Sequence, residues 1–563
     1  MSPLFRRAAL AAAAAVLLLP SGASAAHKPK QHKDDHVQVL AVNDFHGNLE
    51  PPTGSSGRTT LSNGTTVDSG GAAYMATHVK QLEAGQKHSI FVGAGDLIGA
   101  SPLASALFHD EPTVEAFNLM GLDASAVGNH EFDEGVGELL RIQNGGCHPV
   151  DGCQFHDPYQ GAAFQYLAGN VVYANSGLPI LPPYVVRKFG KSKVAFIGLV
   201  LQGTPTIVTP SGVAGLDFLP EAATANALVK RLRKRQHIQS FVIAIHEGGR
   251  QTAYAGPDGC GGFTGDIGPI VDALDPEIDV VLSAHTHEAY ICRRNGMLLT
   301  SASSFGRLIT DVDLAIDRRT HDVTSSTARN VVVTRTVTPD PAVQALVDEA
   351  KAKSAPIANR TVGTITADIL RAQNPAGESA LGDVIADSQL AATAGNGAQI
   401  AFMNPGGIRA DLTYASSPLG EGAGVVTYGE AFTVQPFSNT LTTKTMTGAQ
   451  IKRVLEQQFA GFEGQTTQRI LQVSAGLTYS WSASAPAGAK VSGIQLNGVA
   501  LDPAATYRVT MNSFLATGGD GFAVFNEGTE QVGGDVDLDA FTAYLTAHPG
   551  LAPPAGGRIT VVG

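Results

Sequence analysis

Short apolar runs punctuate the first half of the chain, and several of them stop at a polar side chain. Residues 37–42, Val-Gln-Val-Leu-Ala-Val, give way to Asn43-Asp44-Phe45-His46-Gly47. The run at 89–92 ends in Gly95-Asp96, and 124–127 leads into Gly128-Asn129-His130-Glu131-Phe132-Asp133. Residues 241–245 end in His246, and 279–283 end in Ala284-His285-Thr286-His287. Runs this short, bounded by Gly and polar residues, predict buried strands. A further strand is predicted at 193–201, and helical spacing marks residues 72–84 and part of 216–236. The Gly/Ser/Thr-rich stretch 53–71 and the Gly/Cys-rich stretch 145–161 read as loops. Strands alternating with helices predict an α/β layered domain, with ligands just beyond the carboxyl ends of its strands.

After Val337 the pattern changes. Pro339-Asp340-Pro341 predicts the start of a helix running to about Ser354, with Pro356 ending it. Beyond it come predicted helices at 379–394 and 448–459, many short β runs, and Gly-rich turns at 405–407 and 518–521. No internal repeat is present. The plan is therefore an α/β domain over residues 36–338, a linker helix at 339–356, and an α+β domain over 357–563.

A chain of 563 residues is long enough for two or more cores, and 43% hydrophobic content with 16% charge describes a folded protein. A net charge of −12, with no basic stripe, argues against polymeric nucleic acid as a partner. The run from Lys230 to Arg235 reads as a solvated helix face. Residues 1–25 read as a signal peptide: Arg6 and Arg7, an apolar segment over 8–19, and Ala23-Ser24-Ala25 for cleavage. The paired arginines leave both the general secretory and the twin-arginine routes open. Without a Cys after the cleavage site or an apolar tail, the expectation is a secreted or periplasmic protein with no membrane anchor. Four cysteines in an exported chain predict two disulfides. Cys147 with Cys153 and Cys260 with Cys292 is the economical pairing of the three possible.

The polar residues at the strand ends form one set: Asp44, His46, Asp96, Asn129, His246, His285 and His287. Singly, an Asp-x-His is most often a turn and a His-x-His most often surface. Together, after strands whose ends parallel packing would gather, they predict a metal centre. Oxygen and imidazole donors without thiolate suit zinc, manganese, cobalt, magnesium or calcium. Seven donors exceed what one tetrahedral ion needs. They suit two divalent ions about 3.5–4 Å apart sharing a carboxylate, which lower the pKa of a bound water so that hydroxide attacks phosphorus. His130 can hydrogen-bond a reacting oxygen, and Asp133 can hold that imidazole in one tautomer.

These motifs resemble the calcineurin-like metallophosphoesterase pattern, and residues 43–47 and 128–133 are similar to those of the secreted 5′-nucleotidase family. The second half agrees: Asn404-Pro405-Gly406-Gly407-Ile408-Arg409 is similar to that family's Asn-x-Gly-Gly-Ile-Arg motif. Gln435-Pro436-Phe437 and residues 512–521 resemble its nucleoside-binding segments. The resemblance covers essentially all of the chain after the predicted cleavage site. It implies a four-layer β-sandwich flanked by helices, followed by a substrate-binding domain. It implies one metal on Asp44, His46, Asp96 and His287, and another on Asp96, Asn129, His246 and His285. His130 would stabilise charge on the phosphoryl group or leaving oxygen, oriented by Asp133. Phe437 and Phe514 would sandwich a base, Asn404 would contact it, Asp520 would accept from ribose hydroxyls, and Arg409 would hold phosphate. Some relatives carry an Arg where Gly377 precedes Glu378, and Arg371 is the candidate to replace it. The implied reaction is hydrolysis of nucleoside 5′-monophosphates. Cyclic-nucleotide phosphodiesterase, nucleotide-sugar hydrolase, sulfur-ester hydrolase and non-catalytic nucleotide binding remain the alternatives, and the oligomeric state is open.

Overall fold

The structure, a computed structural model, describes residues 34–208, 211–416 and 420–562. The leader expected at residues 1–25 lies outside the described residues. Two six-stranded sheets build the first domain. One runs in the order Val323–Val332, Leu308–Asp317, Asp34–Val42, Ser89–Ala94, Ala124–Ala126, Gln165–Leu167. The other runs Ala289–Arg294, Met297–Ala302, Val280–Ser283, Ser240–His246, Ser192–Val200, Tyr184–Phe189. Within each, the central strands are parallel and antiparallel strands close an edge. Every side chain of Ser240–His246 and Val280–Ser283 is buried, as parallel strands covered on both faces require.

The two sheets face each other across an apolar layer that includes Val39, Val92, Val242, Val280 and Leu314. Helices Ala72–Glu83 and Glu111–Met120 cover the outside of the first sheet. Helices Glu221–Gln236 and Ile267–Asp272 cover the outside of the second. This helix–sheet–sheet–helix order is the four-layer arrangement expected. The basic residues at 230–235 lie on the last turns of their helix, with Lys230, Arg231, Lys234 and Arg235 exposed.

Several boundaries differ from expectation. The connecting helix runs Pro341–Ala358 and contains Pro356 instead of ending before it. Pro356 lacks an N–H, but it falls in the last turn, where Asn359 N–H closes on the Ala355 carbonyl at 3.0 Å. Nor is the helix a free linker. Asp340 caps it, and Val343, Leu346, Val347 and Ala350 pack on the first domain at i, i+3, i+4, i+7 spacing. Each such Val or Leu contributes about 1.5–3 kcal/mol by burial. The 216–236 stretch divides into a strand, Leu216–Phe218, and the helix from Glu221. The pattern does not announce Leu308–Asp317 and Val323–Val332, because the outermost strand mixes exposed polar with buried residues. The loop at 53–71 contains a small hairpin, Arg58–Thr60 with Thr66–Asp68.

The second domain holds a five-stranded sheet and a four-stranded sheet. Its helices Ala380–Ala392 and Gly448–Glu456 are slightly shorter than the spacing suggests. Cys147 is bonded to Cys153 and Cys260 to Cys292, with Cα separations of 4.4 and 5.3 Å.

Candidate active site

The carboxyl ends of Asp34–Val42, Ser89–Ala94, Ala124–Ala126, Ser240–His246 and Val280–Ser283 meet at one edge of the paired sheets. Ala94, Ala126, Ala244 and Ala284 form a small buried cluster there, and side chains this small let the two sheets converge. Glycine is needed at two places. A Cβ on Gly128 would lie 2.1 Å from Asp96 Oδ1, and one on Gly95 would lie 2.7 Å from His246 Nδ1. Asp44, His46, Asp96, His285 and His287 all occupy left-handed backbone, with φ of 50°, 48°, 51°, 71° and 58°. Each costs about 1–2 kcal/mol for a residue bearing Cβ. The loops hold them there by cross-bonding. Asp44 N–H donates to the Gly95 carbonyl and His46 N–H to the Asp96 carbonyl, both at 3.0 Å.

The structure brings the predicted donors together. Asp44 Oδ1 lies 3.9 Å from His46 Nε2, 3.9 Å from His246 Nε2 and 3.5 Å from His287 Nε2. Asp96 Oδ2 lies 3.6 Å from His46 Nε2 and 2.9 Å from His246 Nε2. Two groups, Asp44–His46–His287 and Asp96–His246–His285, each keep their donor atoms within 4.8 Å of one another. The far nitrogens are already engaged. His46 Nδ1 meets the Gly99 carbonyl at 2.8 Å and His246 Nδ1 the Ala94 carbonyl at 2.9 Å, which turns both Nε2 atoms inward. Asn129 Oδ1 is buried and has no hydrogen-bond partner, and His246 Nε2 meets only the Asp96 carboxylate, at 2.9 Å. Buried polar atoms are normally paired, so an orphaned amide oxygen beside converging imidazoles and carboxylates fits a bound cation.

Electrostatics agree with that fit. Burial, reinforced by the neighbouring imidazoles and Arg409, holds His46 and His287 well below the usual range, and burial with His246 brings His285 down to about 3. All three are neutral ligands-in-waiting. Burial works against ionisation of Asp96, but His246, His130 and His46 overcome it and keep the carboxylate charged. Burial also disfavours charge on His246, yet Asp96 and Asp44 raise it to about 10, so without metal this imidazolium balances the carboxylates.

Three residues that sequence reasoning passed over organise this centre. Glu131 is buried, and its carboxylate accepts from Asp96 N–H and Leu97 N–H at 2.9 Å and from Gly128 N–H at 2.5 Å. Burial and Asp96 push it up to about 7, against three donors that the ionised form satisfies best. Asn43 donates to Asp44 Oδ2 and to the Ser303 carbonyl, both at 2.6 Å. Arg469, from the second domain, lies 3.5 Å from Asp520 and adds positive potential at His285. Glu131 and Asn43 carried a signal, their places inside strand-end motifs; Arg469 carried none.

His130 Nδ1 lies 2.7 Å from Asp133 Oδ2, which leaves Nε2 free. Burial opposes its protonation, but Asp133 and Asp96 outweigh that and raise it. The second domain reaches this imidazole. The Phe437 ring lies on His130 with centroids 5.6 Å apart and planes 18° apart, and the Arg409 guanidinium is 5.8 Å from the Phe437 ring. Arg409 Nη2 also comes within 3.5 Å of His46 Nε2. Asn404 donates to Asp520 at 3.0 Å and accepts from Asn512 at 2.9 Å, so these groups form one buried polar cluster. Phe514 is half-buried with its ring against Gly519, and among the described residues no ring contact links it to Phe437. Arg371 Nη1 donates to the Arg409 carbonyl at 2.8 Å. A Cβ on Gly377 would lie 2.5 Å from Ile470, so no longer side chain fits there as the chain now runs. A cavity of about 390 Å³ opens between the domains beside Gly47, Phe305 and Arg409.

Residues 37–289 match the family described as calcineurin-like phosphoesterase, and residues 359–527 match the 5′-nucleotidase C-terminal domain. The chain is 32% identical over 549 residues to the cell wall protein Lmo0130 of Listeria monocytogenes, covering 90% of this chain and 67% of that protein. It is 32% identical over 530 residues to the endonuclease YhcR of Bacillus subtilis, covering 93% of this chain but 41% of the larger relative. The crystal structure of a 5′-nucleotidase precursor from Thermus thermophilus superposes with a TM-score of 0.76 at 25% identity, covering 94% of this chain and 99% of that one.

Proposed function

The chain belongs to the 5′-nucleotidase family of metal-dependent phosphoester hydrolases, and on that premise we propose that it is exported and hydrolyses nucleoside 5′-monophosphates to nucleoside and phosphate. The observation that carries the metal part of this reading is the orphaned Asn129 Oδ1 among buried imidazoles and carboxylates whose donor atoms converge. Asp44, His46, Asp96 and His287 would hold one ion, and Asp96, Asn129, His246 and His285 would hold the other. When bound, two such ions supply charge neutralisation at the phosphoryl oxygens and a water acidic enough to act as nucleophile near neutral pH.

The chain's own groups do the rest. His130 stands outside the ligand set and donates from Nε2 to a phosphoryl or leaving oxygen. Asp133 accepts from Nδ1–H and stabilises the imidazolium, the form in which Nε2 also carries a proton. Arg409 faces the His46 side of the centre and clamps phosphate with its planar fork, with Arg371 behind it in place of the Arg that Gly377 excludes. Phe437 and Phe514 stack the base, worth about 1–3 kcal/mol per stacked face. Asn404 and Asp520 read its polar edge and the ribose. Phe437 now lies on His130, so substrate displaces this ring from the imidazole.

No helix among the described residues is long and apolar enough to cross a membrane. Export rests on the leader-like residues 1–25 and the two disulfides.

The test is chromatographic analysis of all products, with free phosphate measured alongside, after chelation and return of single divalent metals. Substrates are nucleoside 5′-monophosphates, a 2′,3′-cyclic nucleotide, a nucleotide sugar and single-stranded DNA. The proposal predicts metal-dependent turnover that is fastest on a 5′-monophosphate, with nucleoside and phosphate as its products. Preference for another substrate would move the assignment within the family; bound metal without turnover on any would leave a nucleotide-binding protein.

A further inference from the structure

The turn that carries Asp520 is braced by a neighbouring loop whose side chains have no part in the mechanism so far. Asp520 is buried and sits in left-handed backbone, with φ of 57°, inside the Gly-rich turn 518–521. Its Oδ2 accepts from Asn404 Nδ2 at 3.0 Å. At Oδ1 the ionic partner is Arg469, whose Nε lies 3.5 Å away. A carboxylate offers about four lone-pair sites, so two partners leave acceptor capacity for hydroxyl donors. Burial disfavours charge on Asp520, and Arg469 is the strongest influence opposing that.

Arg469 is itself held at both ends. Its backbone N–H donates to the Gln458 carbonyl at 2.8 Å, and Ile470 and Leu471, which follow it, are buried in the core of the second domain. At the far end Nη1 donates to Gln465 Oε1 at 3.2 Å and to Thr467 Oγ1. Gln465 is buried, and its Nε2 donates to the Asp520 carbonyl at 2.9 Å. One amide therefore fixes the guanidinium with its oxygen and the Asp520 backbone with its nitrogen. The approach is close enough that a Cβ on Gly521 would lie 3.0 Å from that amide nitrogen.

We propose that Arg469 and Gln465 are positioning residues that aim the Asp520 carboxylate at the sugar hydroxyls, and so make the protein favour ribonucleotides over nucleotides that lack those hydroxyls. This role rests on the proposed nucleotidase activity, in which Asp520 meets the ribose. A hydroxyl-to-carboxylate bond is charge-assisted and directional, so a carboxylate left free to turn forfeits much of it. Arg469 also adds positive potential at His285. That potential acts where the phosphate reacts, which all nucleoside monophosphates share. It cancels when two nucleotides that differ only in the sugar are compared.

The ratio of two efficiencies tests this in the full, metal-loaded chain. kcat/KM of wild type and Arg469→Met is measured on ribonucleoside 5′-monophosphates of the four common bases and on their 2′,3′-dideoxy analogues, with circular dichroism verifying the fold. Wild type is expected to favour the ribonucleotide, and Arg469→Met to shrink that preference about tenfold, chiefly through KM for the ribonucleotide. Arg469→Lys, which keeps a charge beside Asp520, is expected to recover part of it. Should Arg469→Met misfold, Arg469→Gln decides by the same ratio. An unchanged ratio, whether or not both efficiencies fall, would overturn the role, because packing or direct phosphate contact by the guanidinium affects both sugars alike. Wild type active on both sugars without preference would also overturn it and leave the nucleotidase reading intact. Wild type inactive on every one of these substrates would overturn that reading, and this role with it.

Discussion

Replacing Glu131 by Gln removes one charge and converts one carboxylate oxygen to an amide, without changing size. The consequence depends on the groups that surround it. Oε2 accepts from Asp96 N–H and Gly128 N–H, Oε1 accepts from Leu97 N–H, and the residue is 3% exposed. Gln has one acceptor oxygen, so in either orientation its NH₂ faces at least one backbone N–H. The favourable orientation keeps two bonds, now to a neutral acceptor, and orphans the Leu97 donor. Losing a charge-assisted bond costs about 1.5–3 kcal/mol, and an unsatisfied buried donor costs about 1–3 kcal/mol. Together these destabilise the first domain by about 3–5 kcal/mol, a drop in melting temperature of about 6–10 °C for a domain of this size. The same three bonds set the Asp96 loop against the Asn129 turn. Metal affinity is therefore expected to fall about 10–100-fold, as for other groups that orient ligands. Thermal melts of the metal-free protein and metal titrations of both forms measure the two effects. A variant that melts within about 2 °C of wild type and binds metal as tightly would refute the cradle assigned to Glu131.

Other perturbations separate neighbouring roles. His130→Ala is expected to lower turnover about 10²–10³-fold while metal content stays at the wild-type level, read by steady-state kinetics beside metal analysis; metal loss in step with rate would make His130 a ligand. Lys444 is buried and donates to the carbonyls of Ala516 at 2.7 Å and Phe525 at 3.0 Å, so it ties the Phe514 helix to the segment after Asp520. Lys444→Met leaves the Ala516 carbonyl unpaired, at about 1–3 kcal/mol, and leaves the Phe525 carbonyl only the Gly528 N–H at 3.3 Å. KM for a nucleotide is expected to rise more than KM for a small aryl phosphate. His109 is raised from 6.5 to about 9, chiefly by its bond to Glu134. A raised histidine stabilises the fold fully below its unfolded pKa, and that stabilisation disappears as pH climbs through the folded one. Metal-free protein is therefore expected to lose about 1–2 kcal/mol between about pH 6.5 and 9, after discounting for half-exposed carboxylate partners. Denaturation of His109→Gln across the same range should lack that loss.

Much of the candidate centre is legible in the chain because parallel strands buried on both faces read as unbroken apolar runs. A polar residue at the end of such a run is conspicuous, and Asp96, His246 and His285 stand out for that reason. The edge strand Val323–Val332 offers no such signal, since one face is wet and its pattern resembles a loop. Nor does sequence disclose that five candidate ligands adopt left-handed backbone, because none is glycine and the conformation is imposed by cross-bonded loops. Glu131 sits in full view within a motif. Its function lies in backbone donors on a segment more than thirty positions earlier, at Asp96 and Leu97. Lys444 is hidden for the same reason, being a lysine whose role needs two carbonyls from a distant part of the fold. The meeting of Phe437 with His130 depends on how the two domains dock, which no local pattern encodes.

The central claim is a division of labour, with phosphorus reacting in the first domain while the second grips the nucleoside. Phe437→Leu and Phe514→Leu keep apolar bulk and remove the flat face. The decisive measurement is kcat/KM of each variant on a nucleoside 5′-monophosphate and on a small aryl phosphate without a base. Loss of one stacking face, about 1–3 kcal/mol, corresponds to about 5–150-fold in efficiency. The account predicts that loss on the nucleotide and near wild-type efficiency on the aryl phosphate. Equal losses on both substrates, accompanied by a lower melting temperature, would show that these rings serve packing and would contradict the claim.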